Sequence, residues 1–254
     1  MPSRDRTRPD KPGLRLTLFN AFGLSRDEVE VHLSDEAQHL LAYLAVQQRA
    51  LPRAYVAGIL WPDVPDGRAS GNLRSALWRL RRLSLDLVLS PRECLSLSAN
   101  VKVDIRINET IARQVLDPAT NVNEFRMNEL ACAGEFLPGW CQDWVLIERE
   151  RQRQIRLHML EALCERWTGG GRFADAVMAG LAAVAIEPLR ETAHRVLIKA
   201  YLAEGNPGEA VRQYRRCRDV LREELRLEPS AQITTLVCGL WPGPSETQPP
   251  FQIV

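Results

Sequence analysis

A chain of 254 residues, 45% hydrophobic and 26% charged, is long enough for two ordinary domains and too apolar to be disordered throughout. Its net charge of +1 gives no indication of nucleic-acid binding. The charge is unevenly distributed, however, since the first 100 residues carry +3 and the remainder −2. No secretory signal opens the sequence and no run approaches roughly 18 apolar residues, so we expect a cytoplasmic protein without membrane contact.

The first elements are predicted to form a small sheet behind a disordered arm. Residues 1–13 are rich in Pro, Arg and Asp, a composition typical of a disordered terminus. Apolar and polar residues alternate over 14–19 and again over 29–33, as they do in half-buried strands. We expect these two strands to pair with each other.

Two helices are predicted next. Ser34 is suited to an N-cap, with acids in the first turn and apolar residues at helical spacing to about Gln48. Pro52 occupies the favoured first position of a second helix, which ends before Pro62 because proline disfavours a helical residue ahead of it. Trp61, just past that end, is expected to pack under the following helix.

The third predicted helix, residues 68–83, is rich in arginine. It carries five arginines and no acid. At about 100° per residue, its apolar residues fall on one face and most of its cations on the other. For such a run alone two interpretations are open, a solvated surface face or guanidinium groups presented to a polyanion. The apolar face consists of Ala69, Leu73, Ala76, Leu77, Leu80 and Leu83.

Two short β-like runs follow, over 85–90 and 94–98, and the turn between them indicates a hairpin. Val101 and Val103 are expected to extend the second run. The order of strands, two helices, basic helix and hairpin is that of a winged helix-turn-helix domain, which we assign to residues 14–106. In that fold the third helix enters a major groove about 12 Å wide, and the hairpin is the wing.

The candidate DNA contacts lie on the third helix and the hairpin. Arg74 and Ser75 lie in the half of the helix that reaches base edges, whereas Arg79, Arg81 and Arg82 lie further along and are expected at phosphates. Trp78 has two interpretations: contact with a thymine methyl or a sugar, or packing against the wing. The full set of predicted DNA-binding residues is Arg68, Arg74, Ser75, Trp78, Arg79, Arg81, Arg82 and Arg92.

From residue 104 onward the pattern is helical, and we assign residues 107–241 to a second domain and 242–254 to a disordered tail. Helices are predicted over 105–116 and 144–167, the latter with a charged middle, 148–156, that is expected to make little core contact. An offset of 34 residues then relates two helix pairs, a period typical of tetratricopeptide-like repeats. The matched residues are Leu163 with Leu197, Trp167 with Tyr201, Gly171 with Gly205, Ala176 with Ala210, and Val177 with Val211.

The second helices of these pairs are predicted over 173–186 and 207–225, and a capping helix over 230–240. Trp140 and Trp144 are expected to pack where the two domains join. The predicted fold is therefore mainly α with a small β component: a winged helix-turn-helix domain followed by an all-α, tetratricopeptide-like domain.

Four short motifs resemble those of the Streptomyces antibiotic regulatory protein (SARP) family and its bacterial transcriptional activator domain. They are A-L-W-R-L-R-R at 76–82, E-P-L-R-E at 187–191, A-V-R-Q-Y at 210–214 and L-R-E-E-L-R-L-E-P at 221–229. The resemblance implies an activator that binds promoter repeats in double-stranded DNA, often as a side-by-side homodimer, and recruits RNA polymerase. One departure is Arg226, where the family has glycine after E-E-L.

The residues that carry chemistry do not assemble into a recognisable active site. The four histidines have no nucleophile or metal spacing, and the six cysteines are scattered without a C-x-x-C pair. We therefore expect no enzyme, no catalytic residue, no cofactor and no metal site. The alternative function is a scaffold whose helical repeats bind a peptide and whose first domain only dimerises or docks. Such a scaffold lacks the steep salt dependence of DNA binding.

Overall fold

The structure, a computed structural model, describes residues 13–126 and 134–240. The predicted disordered arm and tail lie outside the described residues, apart from Gly13. The predicted fold class is confirmed, because a small β component with three helices is followed by helices alone. In chain order the elements are β1 (Leu14–Thr17), β2 (Gly23–Arg26), β3 (Val29–Glu30), α1 (Asp35–Gln47), β4 (Leu51–Pro52), α2 (Arg53–Leu60), α3 (Asp66–Arg82), β5 (Val88–Leu89), β6 (Cys94–Leu97), β7 (Val101–Val103), α4 (Asp104–Leu116), α5 (Asp143–Gly169), α6 (Phe173–Ile186), α7 (Glu191–Glu204), α8 (Pro207–Leu225) and α9 (Ala231–Val237).

The chain forms two compact units. The first contains residues 13–110 and 134–151, and the second contains 111–126 and 152–240 among the described residues. The sequence patterns predict a single domain boundary near residue 106, whereas the chain passes from the first unit to the second and back again. It returns because the 134–151 segment contributes side chains to the core of the first unit.

The sheet of the first unit has the strand order β3-β2-β1-β7. The expected pairing of residues 29–33 with β1 is wrong. Asp27 and Glu28 both adopt positive φ, at 50° and 68°, and this tight turn folds β3 back onto β2 instead. The expected extension of the hairpin by Val101 and Val103 is also wrong, because β7 runs parallel to β1 with Leu14 opposite Val101.

The predicted hairpin is confirmed as β5 and β6, with Val88 opposite Leu97. A third strand, β4, pairs with β6 on the other side, so that the sheet order is β4-β6-β5. Since β4 directly precedes α2, this pairing fixes the start of α2 beside the hairpin. Pro52 lies in β4 and precedes the first helical residue rather than occupying that position.

Helices α1, α2 and α3 bury their apolar faces in one core. In α3 the buried residues are those that the helical spacing predicts, and Leu83 is partly buried at its end. Burial of each large apolar side chain contributes about 1.5–3 kcal/mol, so the position of α3 is strongly fixed. Trp61 packs partly buried against the same core. The buried side chains of α3 are Ala69, Leu73, Ala76, Leu77 and Leu80.

The 134–151 segment completes this core. Phe136, Leu137 and Val145 are fully buried in it, and the backbone N–H of Leu137 donates to the carbonyl of Leu18 at 2.8 Å. Arg149 donates to the carbonyl oxygens of Phe136 and Leu137 at 3.0 and 2.7 Å. These contacts hold the irregular segment against the sheet.

Trp140 and Trp144 also pack within the first unit. The ring of Trp140 stacks on Phe22 at 6.0 Å and meets His39 edge-on at 4.3 Å. Trp144 meets Tyr43 edge-on at 5.2 Å. Aromatic pairs at these separations add to the free energy of burial.

The second unit contains the predicted helix pairs, and α6 and α8 have the predicted bounds. Trp167 is fully buried, and its indole N–H donates to the carbonyl of Val122 at 3.0 Å. Gly171 and Gly205 both have positive φ, which explains why the repeat places glycine at these two turns. The capping helix is shorter than predicted, since α9 ends at Val237.

The charged middle of α5 is more buried than predicted. Glu148 is 7% exposed and Gln152 is 3% exposed, so the expectation of little core contact for 148–156 is wrong. The Glu148 carboxylate accepts a hydrogen bond from Arg151 at 2.8 Å. Charged residues stay buried when a partner satisfies them, and composition alone does not reveal that partner.

Candidate nucleic-acid interface

The candidate interface is built on the solvent-facing side of α3. With about 100° between successive residues, Trp78 lies at the centre of that side, one turn after Arg74 and one turn before Arg82. All three side chains are exposed, whereas the opposite side of the helix is buried. The same packing that fixes α3 therefore presents a tryptophan between two guanidinium groups.

Residues on this side of α3 line an open groove of about 770 Å³. Arg53, at the start of α2, lines the groove together with residues of α3. Its Nη2 donates to the hydroxyl of Ser90 at 2.6 Å, and its backbone N–H donates to the backbone carbonyl of Glu93 at 2.9 Å. The groove-lining residues are Arg53, Gly71, Arg74, Ser75, Leu77, Trp78, Arg79 and Arg81.

Sequence analysis missed Arg53. The residue lies 21 positions before Arg74 in the chain, and the packing of α2 against α3 brings the two into one groove. Spacing along a single helix does not reveal this packing.

The predicted contact residues are all exposed, but they do not all lie in the groove. Arg74, Ser75, Trp78, Arg79 and Arg81 line it. Three further predicted residues are not among its lining residues. They are Arg68 in the first turns of α3, Arg82 at its last turn, and Arg92 in the turn between β5 and β6, where φ is 53°.

Arg79 is held by α1. Its Nη1 donates to the Glu36 carboxylate at 2.7 Å and to the Ser34 hydroxyl at 3.0 Å. Ser34 occupies the N-cap position of α1 as predicted, although its side chain makes no cap bond to the helix backbone. A hydrogen bond from its own backbone, helped by Ser34 and Arg79, keeps the pKa of Glu36 below its ordinary value. The ion pair is about half exposed, so it orients Arg79 more than it stabilises the fold.

Trp78 is 58% exposed, so most of its indole faces solvent rather than the wing. The guanidinium carbon of Arg82 lies 4.9 Å from the centre of its ring, within the range of a cation–π contact. Arg82 therefore covers part of the ring and is itself held along the helix surface.

His194 and two buried cysteines lie in the core of the second unit. His194 is buried between the Pro188 carbonyl, 2.8 Å from Nε2, and the Gln213 amide, 2.7 Å from Nδ1. Burial lowers the pKa of His194, and it raises the pKa of Cys164 and Cys217 to about 12, so these thiols stay protonated. Within residues 13–126 and 134–240, His, Cys, Asp and Glu form no group of three or more arranged to hold a metal ion. No helix in these ranges has the length and apolar character that a membrane span requires.

Comparison with known proteins gives three findings. Residues 112–238 match the family described as the bacterial transcriptional activator domain. The regulatory protein AfsR of Streptomyces coelicolor is 26% identical over 211 residues, which are 77% of this chain and 21% of AfsR, so the chain spans about a fifth of that relative.

The third finding is structural. A solved structure of Mycobacterium tuberculosis EmbR in complex with a low affinity phosphopeptide superimposes with a TM-score of 0.63 at 18% identity. The match covers 89% of this chain and 64% of the EmbR chain, and at this identity it shows a shared fold. The family match covers half of the chain, and the resemblance in the short motifs agrees with it. The chain therefore belongs to the bacterial transcriptional activator domain family, and its similarity to AfsR and to the EmbR fold agrees with the SARP-like motifs of its sequence.

Proposed function

We propose that this protein binds double-stranded promoter DNA in a sequence-specific way and activates transcription by recruiting RNA polymerase. The observation that carries the proposal is the exposed side of α3, where Arg74 and Arg81 line an open groove together with Arg53 of α2. A B-DNA major groove admits one helix, and the arginines of this helix then meet base edges and phosphates on both sides.

The arginines divide into two kinds of contact. Arg74 lies on the outward face in the N-terminal half of α3, the part that reaches base edges, and its planar fork matches the O6 and N7 acceptors of guanine. Arg81 and Arg82 lie near the C-terminal end of α3 and are placed for phosphates. Arg53 beside the wing and Arg92 in its turn extend the phosphate contacts to either side.

Three further predicted residues take supporting places in this arrangement. Ser75 follows Arg74 in the groove; its hydroxyl donates to the Gly71 carbonyl at 3.2 Å and can accept a hydrogen bond from a base edge. Arg68 is exposed in the first turns of α3 and is assigned to phosphate. Arg79 remains half exposed beside Glu36, so we assign it to orienting α1 against α3 with a phosphate contact as a secondary role.

A selection from a library of random duplexes tests the proposal. We expect the full chain to enrich one sequence motif and to bind it with an affinity that falls linearly on a log–log plot against salt. The slope should be about −0.9 for each phosphate neutralised. A matched variant with Arg74, Arg81 and Arg92 changed to alanine should lose the enrichment. Binding that enriches no motif and is insensitive to salt would support the peptide-binding scaffold instead.

Recruitment of RNA polymerase is assigned to the second unit, on the basis of the activator family to which residues 112–238 belong. Homodimerisation on repeated sites is part of the same proposal. Transcription in vitro from a promoter that carries the selected motif should rise with the full chain and should not rise with a variant that binds the motif but ends at residue 151. Equal stimulation by the shortened chain would place the polymerase contact in the first unit.

A further inference from the structure

Trp78 is the unusual residue of the groove. The other α3 side chains on its outward side are cationic, polar or absent, as at Gly71, and Leu77 is 5% exposed. Trp78 by contrast exposes 58% of a large apolar surface. An exposed indole in a cationic groove contributes nothing to the core. Burial of its apolar surface therefore contributes free energy only when a ligand covers it.

The position of the ring restricts how a ligand reaches it. Arg82 lies 4.9 Å from the ring centre and covers part of one face. Insertion between two bases needs both faces of a ring, so the contact with Arg82 opposes intercalation. The other face and the edge of the indole remain open towards the groove.

We propose that Trp78 is a specificity-determining residue that contacts the C5-methyl group of a thymine in the major groove, a proposal that rests on the DNA-binding function above. Base edges in this groove present hydrogen-bond donors and acceptors, and the thymine methyl is the apolar group among them. An indole carbon surface gains free energy by covering that methyl, whereas it leaves a donor or acceptor without a partner. Contact of the indole with a polar base edge or with bound water is therefore less favourable than contact with the methyl group.

Helix geometry places this thymine relative to the base that Arg74 contacts. The two residues are four positions apart, about 6 Å along α3, and base pairs are stacked about 3.4 Å apart. The thymine therefore lies about one or two base pairs from the guanine assigned to Arg74. The preferred sites of this protein should contain both bases at that fixed separation.

Replacement of thymine by deoxyuridine tests the contact, because it removes only the methyl group. The probe is the duplex enriched from the random library, made once with thymine and once with deoxyuridine at every thymine position of the motif. We expect the unaltered chain to bind the deoxyuridine duplex about fourfold more weakly for each methyl that the ring covers. Trp78→Ala should bind both duplexes equally and as weakly as the unaltered chain binds the deoxyuridine form. Since Trp78 is exposed, this variant should fold normally.

Arg74→Ala is the matched control, since it removes a neighbouring groove contact and leaves the indole in place. Its overall affinity should fall while its ratio between the two duplexes remains that of the unaltered chain. Equal binding of both duplexes by the unaltered chain would overturn the thymine contact and leave the DNA-binding proposal standing. A deoxyuridine effect of the same size in Trp78→Ala would also overturn it, since the methyl would then act through DNA shape. Failure of the unaltered chain to bind any duplex would instead overturn the proposed function.

Discussion

Truncation after residue 106, where sequence patterns place the domain boundary, is expected to unfold the DNA-binding unit. It removes Phe136, Leu137 and Val145, which are 1%, 0% and 0% exposed in the core of that unit. Each such side chain contributes about 1.5–3 kcal/mol by burial, so about 5–9 kcal/mol is lost. A whole domain is stable by only about 5–15 kcal/mol. The cut also leaves the carbonyl of Leu18 without the N–H that it accepts from Leu137.

Urea unfolding of two fragments, 13–106 and 13–151, measures this effect. The longer fragment should unfold cooperatively, whereas the shorter one should show no cooperative transition or a much lower midpoint. Within the longer fragment, Phe136→Ala should cost about 3–5 kcal/mol, and the exposed Cys141→Ser should cost little. Equal midpoints for the two fragments would show that the 134–151 segment contributes no core, and the reasoning would be refuted.

Further substitutions test separate features of the fold. Gly71→Ala should raise the free energy of unfolding by about 0.5–1 kcal/mol, because the added Cβ meets nothing nearer than Arg74 Nη2 at 3.7 Å, and it should weaken DNA binding. Gly58→Ala, whose added Cβ lies in open space on α2, is the control: urea unfolding should show the same gain in stability, and DNA titration should show no loss of affinity. Arg226→Gly should raise thermal stability by about 1 kcal/mol, since Arg226 ends α8 with a φ of 58°, and an unchanged melting temperature would contradict this. Ile233→Ala, at a fully buried position within α9, should cost about 2–5 kcal/mol in urea and reduce activation of a reporter; normal activation by an unstable variant would separate the two effects. The lowered pKa of His194 means that the unfolded chain takes up its proton first, so stability should fall as the pH drops from about 7.5 towards 5.5, and His194→Gln should flatten that dependence in urea titrations.

Periodicity predicted the helices well because each helix buries a face within its own local sequence. The buried residues of α3 are those that a 3.6-residue period selects, and the bounds of α6 and α8 follow from proline and glycine positions. Arg226 is a useful case: its departure from the family's glycine was visible in the sequence, and the left-handed backbone there gives the physical meaning of that glycine.

Strand pairing was predicted less well, because it depends on residues far apart in the chain. Strand β7 pairs with β1 across more than eighty residues, and β2 has no strong alternation of its own. The site also depends on tertiary structure, since the packing of α2 against α3 brings Arg53 into the groove. The engagement of Arg79 by Glu36 also depends on tertiary structure, as the two residues lie 43 positions apart. Spacing on a single helix therefore identified the outward face of α3 but not its neighbours.

The central claim is that Arg74 contacts base edges whereas Arg81, further along α3, contacts phosphates. One set of titrations tests it directly. The unaltered chain, Arg74→Ala and Arg81→Ala are each titrated against the selected duplex and a scrambled duplex at several salt concentrations. Arg74→Ala should lose about 1–3 kcal/mol on the selected duplex alone, so that its sequence preference relaxes. Arg81→Ala should weaken both duplexes similarly and flatten the salt slope by about one unit. If Arg81→Ala changed the preference while Arg74→Ala weakened both duplexes equally, α3 would be docked differently. If neither variant altered binding, α3 would not be the recognition helix of this protein.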